Sequence, residues 1–422
     1  MRRVVRRRTL LRGAALVPLA GVVAGCGDLA RTAGLGEYVR VAVPWSAAEL
    51  AAFSRVLDRR GTRDYELIPL GDDIGAALGA RAGGRPDLVA LPQPGKLSGN
   101  IESLAKLTDV VWHPRYDEIW PPATVDGAHY ALPFKLAHAS VVWYRKRFFA
   151  EHGLTPPTTL AEWLALNEAV IDIGGPAPLA LGGADGWFLA QFFENVLLRS
   201  FTETFRELAR PHDARLWDSA PVRSAFEMVA DMWGRARVLS GGANRALVQQ
   251  FPDAVLEVFR YGRAVMVPAP DFAESVIRRF AGLDDVATFT FPTGDGGAAP
   301  LAISADLLVL NLDASPDAAG LIRYLATPDA PVPWIRDTGG FIAANPLTDT
   351  KHYTPTLLRL VKELEDSEIE FGLADRLGRL GGSEGLQRVL QNLLRGIAAG
   401  VTPSAAARTA CAAMVDAKRR TG

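Results

Sequence analysis

DGAHYALPFKLAHASVVWYRKRFFAEHGLTPPTTLAEWLALNEAV, residues 126 to 170, carries the punctuation from which the architecture can be read. Asp126-Gly127 reads as a turn, and an extended run rich in aromatic and β-branched residues follows it to Tyr144. Pro133 lies inside that run, and a proline cannot donate to a sheet ladder. The run is therefore expected to split into two strands, Tyr130 to Leu132 in one sheet and Ser140 to Tyr144 in another. A short helix next ends at Gly153, the residue type best suited to a left-handed C′ position, and Pro156-Pro157 keeps it from continuing. Thr159 and Glu162 have capping-box spacing, so a new helix starts there. Trp163, Leu166 and Val170 give that helix one apolar face.

The stretch resembles the family 1 extracellular solute-binding proteins, the sugar-binding components of ABC importers. Gly127-x-x-Tyr130-x-Leu132-Pro133-Phe134 carries the likeness, with the strand ending at Tyr144, the short helix containing Phe148-Phe149, and Gly153-Leu154 leading to Pro156-Pro157 and Thr159-x-x-Glu162. Gly83 to Val89 and Phe259 to Met266 resemble two further family elements. The resemblance implies an α/β, two-lobe, periplasmic-binding-protein-like fold with three interlobe crossings. These are expected after Leu132-Pro133, around Ala302 to Leu310, and at Trp334 to Phe341. Lobe 1 would then hold residues 38–134 and 300–338, and lobe 2 residues 135–299 and 339–422. The implied mechanism is closure of the lobes on a carbohydrate, followed by delivery to ABC permease subunits.

The rest of the chain agrees with this class. Its 422 residues exceed what one core usually serves, so two domains are expected. Residues 1–25 read as a signal peptide: Arg2, Arg3, Arg6, Arg7, Arg8 and Arg12 precede an apolar run from Gly13 to Gly25. That run is too short for a helix to span roughly 30 Å of hydrocarbon. Val23-Ala24-Gly25-Cys26 reads as a lipobox with Cys26 as the lipidation site, and residues 26–37 as a membrane tether. Arg7-Arg8-Thr9-Leu10-Leu11-Arg12 resembles a twin-arginine export signal, beside the general secretory route. Without the six arginines, 40 basic residues face 47 acidic ones, a formal charge of −7. That disfavours nucleic acid as a partner. Once Cys26 is lipidated only Cys411 remains, so no internal disulfide can form, and a monomer is expected.

From Val39 onward, strands alternate with helices, which predicts a doubly wound sheet binding its ligand beyond the strand C-termini. Trp45, Asp72 and Gln93 fall at such ends. Enzyme signatures are weak. Gly381-Gly382-Ser383-Glu384-Gly385 fits G-x-S-x-G, but no strand-like run precedes it. The histidines form no metal-ligand pair, so no metal is expected, and no nucleotide fingerprint or other cofactor motif occurs.

A sugar offers hydroxyls and apolar C–H faces, so its site needs aromatic plates and polar groups. The candidate ligand residues are Trp45, Asp72, Gln93, Lys135, His138, Asp185, Trp187, Asp271, Phe272, Gly339, Gly340 and Phe341. Trp45, Trp187 and Phe341 are the candidate plates, with core packing as the alternative for each; Trp163 and Trp233 are assigned to the core. Lys135-Leu136-Ala137-His138 stands where the family usually has small polar residues, which points to an acidic or phosphorylated sugar if Lys135 reaches it. In a strand, residues 135 and 138 face opposite ways, so one of them at most meets the ligand. Two other function classes stay open. An exported glycan-active enzyme would need two cleft carboxylates about 5 to 9.5 Å apart. A binding lipoprotein serving a sensor or envelope assembly would lack neighbouring permease genes.

Overall fold

The computed structural model describes residues 38–45, 47–61, 65–79, 85–92, 94–97, 100–108, 110–119 and 124–421. The expected signal peptide and tether, with Cys26, and Gln93 lie outside the described residues. In the first lobe, β1 (Val39–Val43) pairs in parallel with β2 (Tyr65–Pro69) and β3 (Leu88–Leu91). Strands β1 and β3 are short, apolar and almost wholly buried, as a sheet covered on both faces requires, while β2 is half-exposed at the edge. Helix α1 (Ala47–Arg59) lays Ala52, Phe53, Val56 and Leu57 against the core. A small hairpin forms from β4 (Thr124–Val125) and β5 (Ala128–His129), with Asp126 and Gly127 in left-handed conformation at its turn.

The quoted stretch then supplies β6 (Ala131–His138) and β7 (Val141–Arg145), which belong to different sheets. Strands β8 (Ala177–Leu179), β9 (Ala264–Pro268) and β10 (Val286–Thr290) join β7 in the smaller sheet, in the order β10-β7-β9-β8. Strands β11 (Leu301–Leu310) and β12 (Ile342–Ala343) complete the larger one, in the order β12-β6-β11-β3-β1-β2. Strand β13 (Ile369–Phe371) pairs with the start of β11. The two sheets, each with helices packed on it, give a two-lobe α/β architecture.

The strand break expected at Pro133 does not occur. Strand β6 runs unbroken through it, opposite Leu307, with a bulge between Asp306 and Leu307. On its other side β12 pairs only with Lys135 and Leu136, and the last bond is from Ala344 N–H to the Phe134 carbonyl. Pro133 thus lies beyond the ladder on that edge, where its missing donor costs nothing. The change of sheet comes later, at Ala139-Ser140. Helix α2 (Gly186–Ser200) grips this passage: Gln191 Nε2 and Asn195 Nδ2 donate to the Ala139 carbonyl at 2.7 and 3.0 Å. Ser140 Oγ donates to Asn195 and accepts from Ala302 N–H at 2.8 Å.

The expected boundary at residues 338/339 also moves. Strands β12 and β13 both pair in the larger sheet, so the chain does not leave it at Gly339-Gly340. The two glycines instead turn the chain back, at φ +74° and +61°, and send Phe341 into the first lobe's core. The return to the second lobe comes after β13, where helix α3 (Leu386–Ala398) packs on α2.

The other local features of the quoted stretch form as expected. Gly153 is left-handed at φ +63°, closing the short helix Lys146–Glu151. Thr159 Oγ1 accepts from Glu162 N–H while the Glu162 carboxylate accepts from Thr159 N–H, a complete capping box on the helix Leu160–Ile173. Trp163 and Trp233 are buried core residues. Among the described residues, no helix is long and apolar enough to cross a membrane.

Candidate functional site

The candidate residues converge where the end of β9 meets β6 and the turn before β12. On the first-lobe side, Trp45 follows β1 and is buried, its Nε1 donating to Asp306 at 2.9 Å. Its ring lies 4.8 Å from Phe53 and 5.0 Å, edge-on, from Trp334. Phe341 is equally buried, 5.2 Å from Phe134 and 5.0 Å from Trp334. The plates expected at Trp45 and Phe341 are therefore core residues: neighbouring rings already occupy their faces.

Lys135 projects from β6 into this cluster. Its Nζ lies 2.7 Å from Glu49 Oε1 and over the rings of Phe272, Trp334 and Phe341 at 5.1, 5.2 and 6.0 Å. Burial pulls its pKa down, but Glu49, Asp306 and Asp271 outweigh this and hold it above the ordinary lysine value. The ammonium is charged and already has a counterion. His138 faces the other way, as the strand period requires, and its Nε2 lies 3.3 Å from Glu363 Oε2. Nδ1 accepts from Ser140 N–H at 3.3 Å, which leaves the proton of a neutral ring on Nε2. Burial lowers the His138 pKa despite Glu363. As a ligand contact His138 is corrected: it is fully buried against Glu363 beside the sheet change.

The second lobe contributes Asp271 and Phe272, just beyond β9. Asp271 Oδ1 accepts from His138 N–H at 2.7 Å, while Oδ2 has no hydrogen bond among the described residues. Burial pushes its pKa up to about 7, with Lys135 pulling it back. Phe272 and Trp187 are both half-buried and lie 5.9 Å apart, with Phe251 5.3 Å from each. Asp185 stands at the N-cap of α2, and its Oδ2 accepts from Phe251 N–H at 2.5 Å. It thereby positions Phe251 behind the other two rings. Gly340 permits close approach of the lobes, since a Cβ there would come within 2.9 Å of the Phe272 backbone. At Gly339 a Cβ would meet Glu274 and Arg278 at 2.7 and 2.8 Å.

The structure thus gathers Lys135, Asp271, Phe272, Trp187 and Gly340, with Phe341 and Trp45 behind them. Asp72 falls in the 3₁₀ turn Gly71–Gly75 directly after β2. Several participants carry no mark in the sequence. Glu274 accepts from Gly340 N–H at 2.9 Å and from Thr354 Oγ1 at 2.6 Å, bridging the lobes. Glu49 and Asp306 flank Lys135. A first-turn glutamate looks like an ordinary helix N-terminal acid, so no local pattern singles Glu49 out.

Ser383 lies in turns after the 3₁₀ segment Gly378–Leu380, not on a strand–turn–helix elbow. A groove of about 550 Å³ between the helix Ala220–Gly234 and Thr402-Pro403-Ser404 contains none of the expected residues.

The profile of the bacterial extracellular solute-binding proteins matches residues 72–330. The chain belongs to that family. A relative from Synechocystis sp., the osmoprotective compounds-binding protein GgtB, is 26% identical over 306 residues, 67% of this chain and 69% of the relative. The alpha-glucosides-binding periplasmic protein AglE of Rhizobium meliloti is 27% identical over 342 residues, 72% and 71% of the two chains. Among solved structures, a chitin oligosaccharide binding protein superposes with a TM-score of 0.72 at 17% identity, covering 91% of this chain and 100% of its own. The raffinose complex of RafE gives 0.68 at 18% identity, covering 90% and 100%. These two likenesses establish the fold of this solute-binding protein.

Proposed function

We propose that this chain is the substrate-binding lipoprotein of an ABC importer and captures a carbohydrate between its lobes. The observation that carries the reading is the half-buried Trp187–Phe272 pair, backed by Phe251 and facing the Lys135–Glu49 pair of the other lobe. Aromatic faces take sugar C–H surfaces, and charged groups beside them take hydroxyls. The names of the relatives, which include an alpha-glucosides-binding protein and a multiple sugar-binding protein, support the substrate class. Two further relatives are named as ABC transporter extracellular-binding proteins.

In this reading the lobes rotate about Ala139-Ser140, the segment between β10 and β11, and the segment after β13. Lipidation at Cys26 holds the protein at the outer face of the cell membrane after export. A thermal-shift series with raffinose, maltotriose, xylotriose and chitotriose tests the ligand class. A sugar at 100 times its Kd adds about 2.7 kcal/mol of stability and raises the midpoint. No shift with any sugar would count against a carbohydrate ligand. Cys26→Ala should move the protein from membranes to the soluble fraction; retention on membranes would place the anchor elsewhere.

A further inference from the structure

The charge at the lobe junction is distributed otherwise than the sequence suggests. Lys135 has 5% of its side chain exposed, whereas Glu49, its partner, has 27%. The carboxylate, not the ammonium, is the more accessible member of the pair. Glu49 sits in the first turn of α1, which follows β1, so it lies beyond the C-terminal end of a sheet strand. Its Oε1 holds Lys135, and its second oxygen makes no hydrogen bond among the described residues. Lys135 in turn reaches within 5.1 Å of Phe272, which sets the pair at the lobe junction.

The surroundings are acidic as well. Asp306 and Asp271 share the Lys135 ammonium with Glu49, and Glu274 lies beside Asp271. Two arginines nearby each place one donor on the segment before Gly339. Arg278 donates to the Arg336 carbonyl at 3.0 Å, and Arg55 donates to Thr338 Oγ1 at 2.6 Å.

We propose that Glu49, held in place by Lys135, is a specificity-determining residue that accepts hydrogen bonds from ligand hydroxyls and selects neutral sugars over anionic ones. An ionised carboxylate only accepts hydrogen bonds, so it pairs with hydroxyl donors. A uronate or phosphate ester brings acceptor oxygens and negative charge against it, and like charges in a desolvated site cost affinity. Lys135 is a positioning residue, which fixes the carboxylate rather than offering its own charge.

This inference rests on the carbohydrate reading, and the experiment separates the two. Raffinose and maltotriose serve as neutral probes, digalacturonate and maltose 6′-phosphate as anionic ones, in calorimetric titrations of the full chain in mild detergent. The parent should bind a neutral probe at least tenfold more tightly than either anionic probe. Glu49→Gln should weaken the neutral probe about tenfold and narrow the gap to the anionic probes, with its melting midpoint close to the parent's. Equal or tighter binding of an anionic probe by the parent would overturn the inference and leave the carbohydrate reading intact. So would a Glu49→Gln protein whose affinities for both classes match the parent's. Failure of every neutral and anionic sugar to bind would overturn the carbohydrate reading itself, and this inference with it. Should Glu49→Gln not fold, Glu49→Asp keeps the charge but withdraws it by one methylene; unchanged neutral affinity in that variant would equally refute the role.

Discussion

Trp45 and Trp187 both stand near the lobe junction, each in an aromatic group, and by residue type they have equal claim to stack on a sugar. Trp45 lies 5.0 Å from Trp334 and 4.8 Å from Phe53, and its indole N–H is committed to Asp306. Trp187 has Phe188, Phe251 and Phe272 beside it but stays half-buried. The difference lies in the chain downstream of each residue. After Trp45 comes a helix whose Phe53 returns over it, and Trp334 arrives from far along the chain. Trp187 opens a helix whose buried face begins at Phe188 and Leu189, leaving the preceding ring at the rim. Residue type nominates both rings, and long-range packing decides which of them keeps a face.

The largest effect should come from breaking the buried group. Trp45→Ala removes a large core side chain and leaves Asp306 without its donor, so stability should fall by about 3 to 5 kcal/mol. Chemical denaturation measures this, and a loss under about 1 kcal/mol would show that Trp45 is not core.

Buried charge offers a second contrast. In the Lys135 cluster, buried carboxylates share a cation, whereas Glu194 relies on backbone donors. Glu194 lies on α2 and accepts from Ala374 N–H at 2.5 Å, where the chain returns to the second lobe. Burial raises its pKa to about 7, against the backbone bonds from Ala374 and Leu373. Because the folded value exceeds the unfolded one, the stability that Glu194 contributes is complete below about pH 4.5 and is lost as pH rises through about 7. The change amounts to roughly 3 kcal/mol. Glu194→Gln should flatten the stability–pH profile between those limits, and an unchanged slope would rule this source out.

The smallest effect belongs to a control outside both aromatic groups. Thr159→Ala removes one arm of the capping box and should cost about 1 kcal/mol of stability without altering sugar affinity. Altered sugar affinity in this variant would mean that stability losses reach the cleft, and the two tryptophans could not then be separated by binding alone.

Much of this architecture is legible locally. The capping box and the left-handed Gly153 arise from short-range chemistry, and the parallel pairing of β1 with its neighbours follows from the alternation of strands and helices. Pro133 misleads because proline's cost in a strand depends on whether a partner needs its N–H, and that partner, β12, comes much later in the sequence. Gly339-Gly340 misleads for a similar reason: two glycines announce a turn, not the sheet that the chain joins next. Lys135 is recognisable as unusual, but its partner Glu49 is not, because ion pairs between distant residues leave no local pattern.

Whether Trp187 stacks on a sugar is decided by calorimetric titration of Trp187→Ala beside the parent, with whichever neutral sugar the thermal-shift series identifies. Affinity should weaken by about 1 to 3 kcal/mol, roughly 5- to 150-fold, with the variant still folded and its midpoint near the parent's. Parental affinity in a folded Trp187→Ala protein would contradict a sugar site at the Trp187–Phe272 pair.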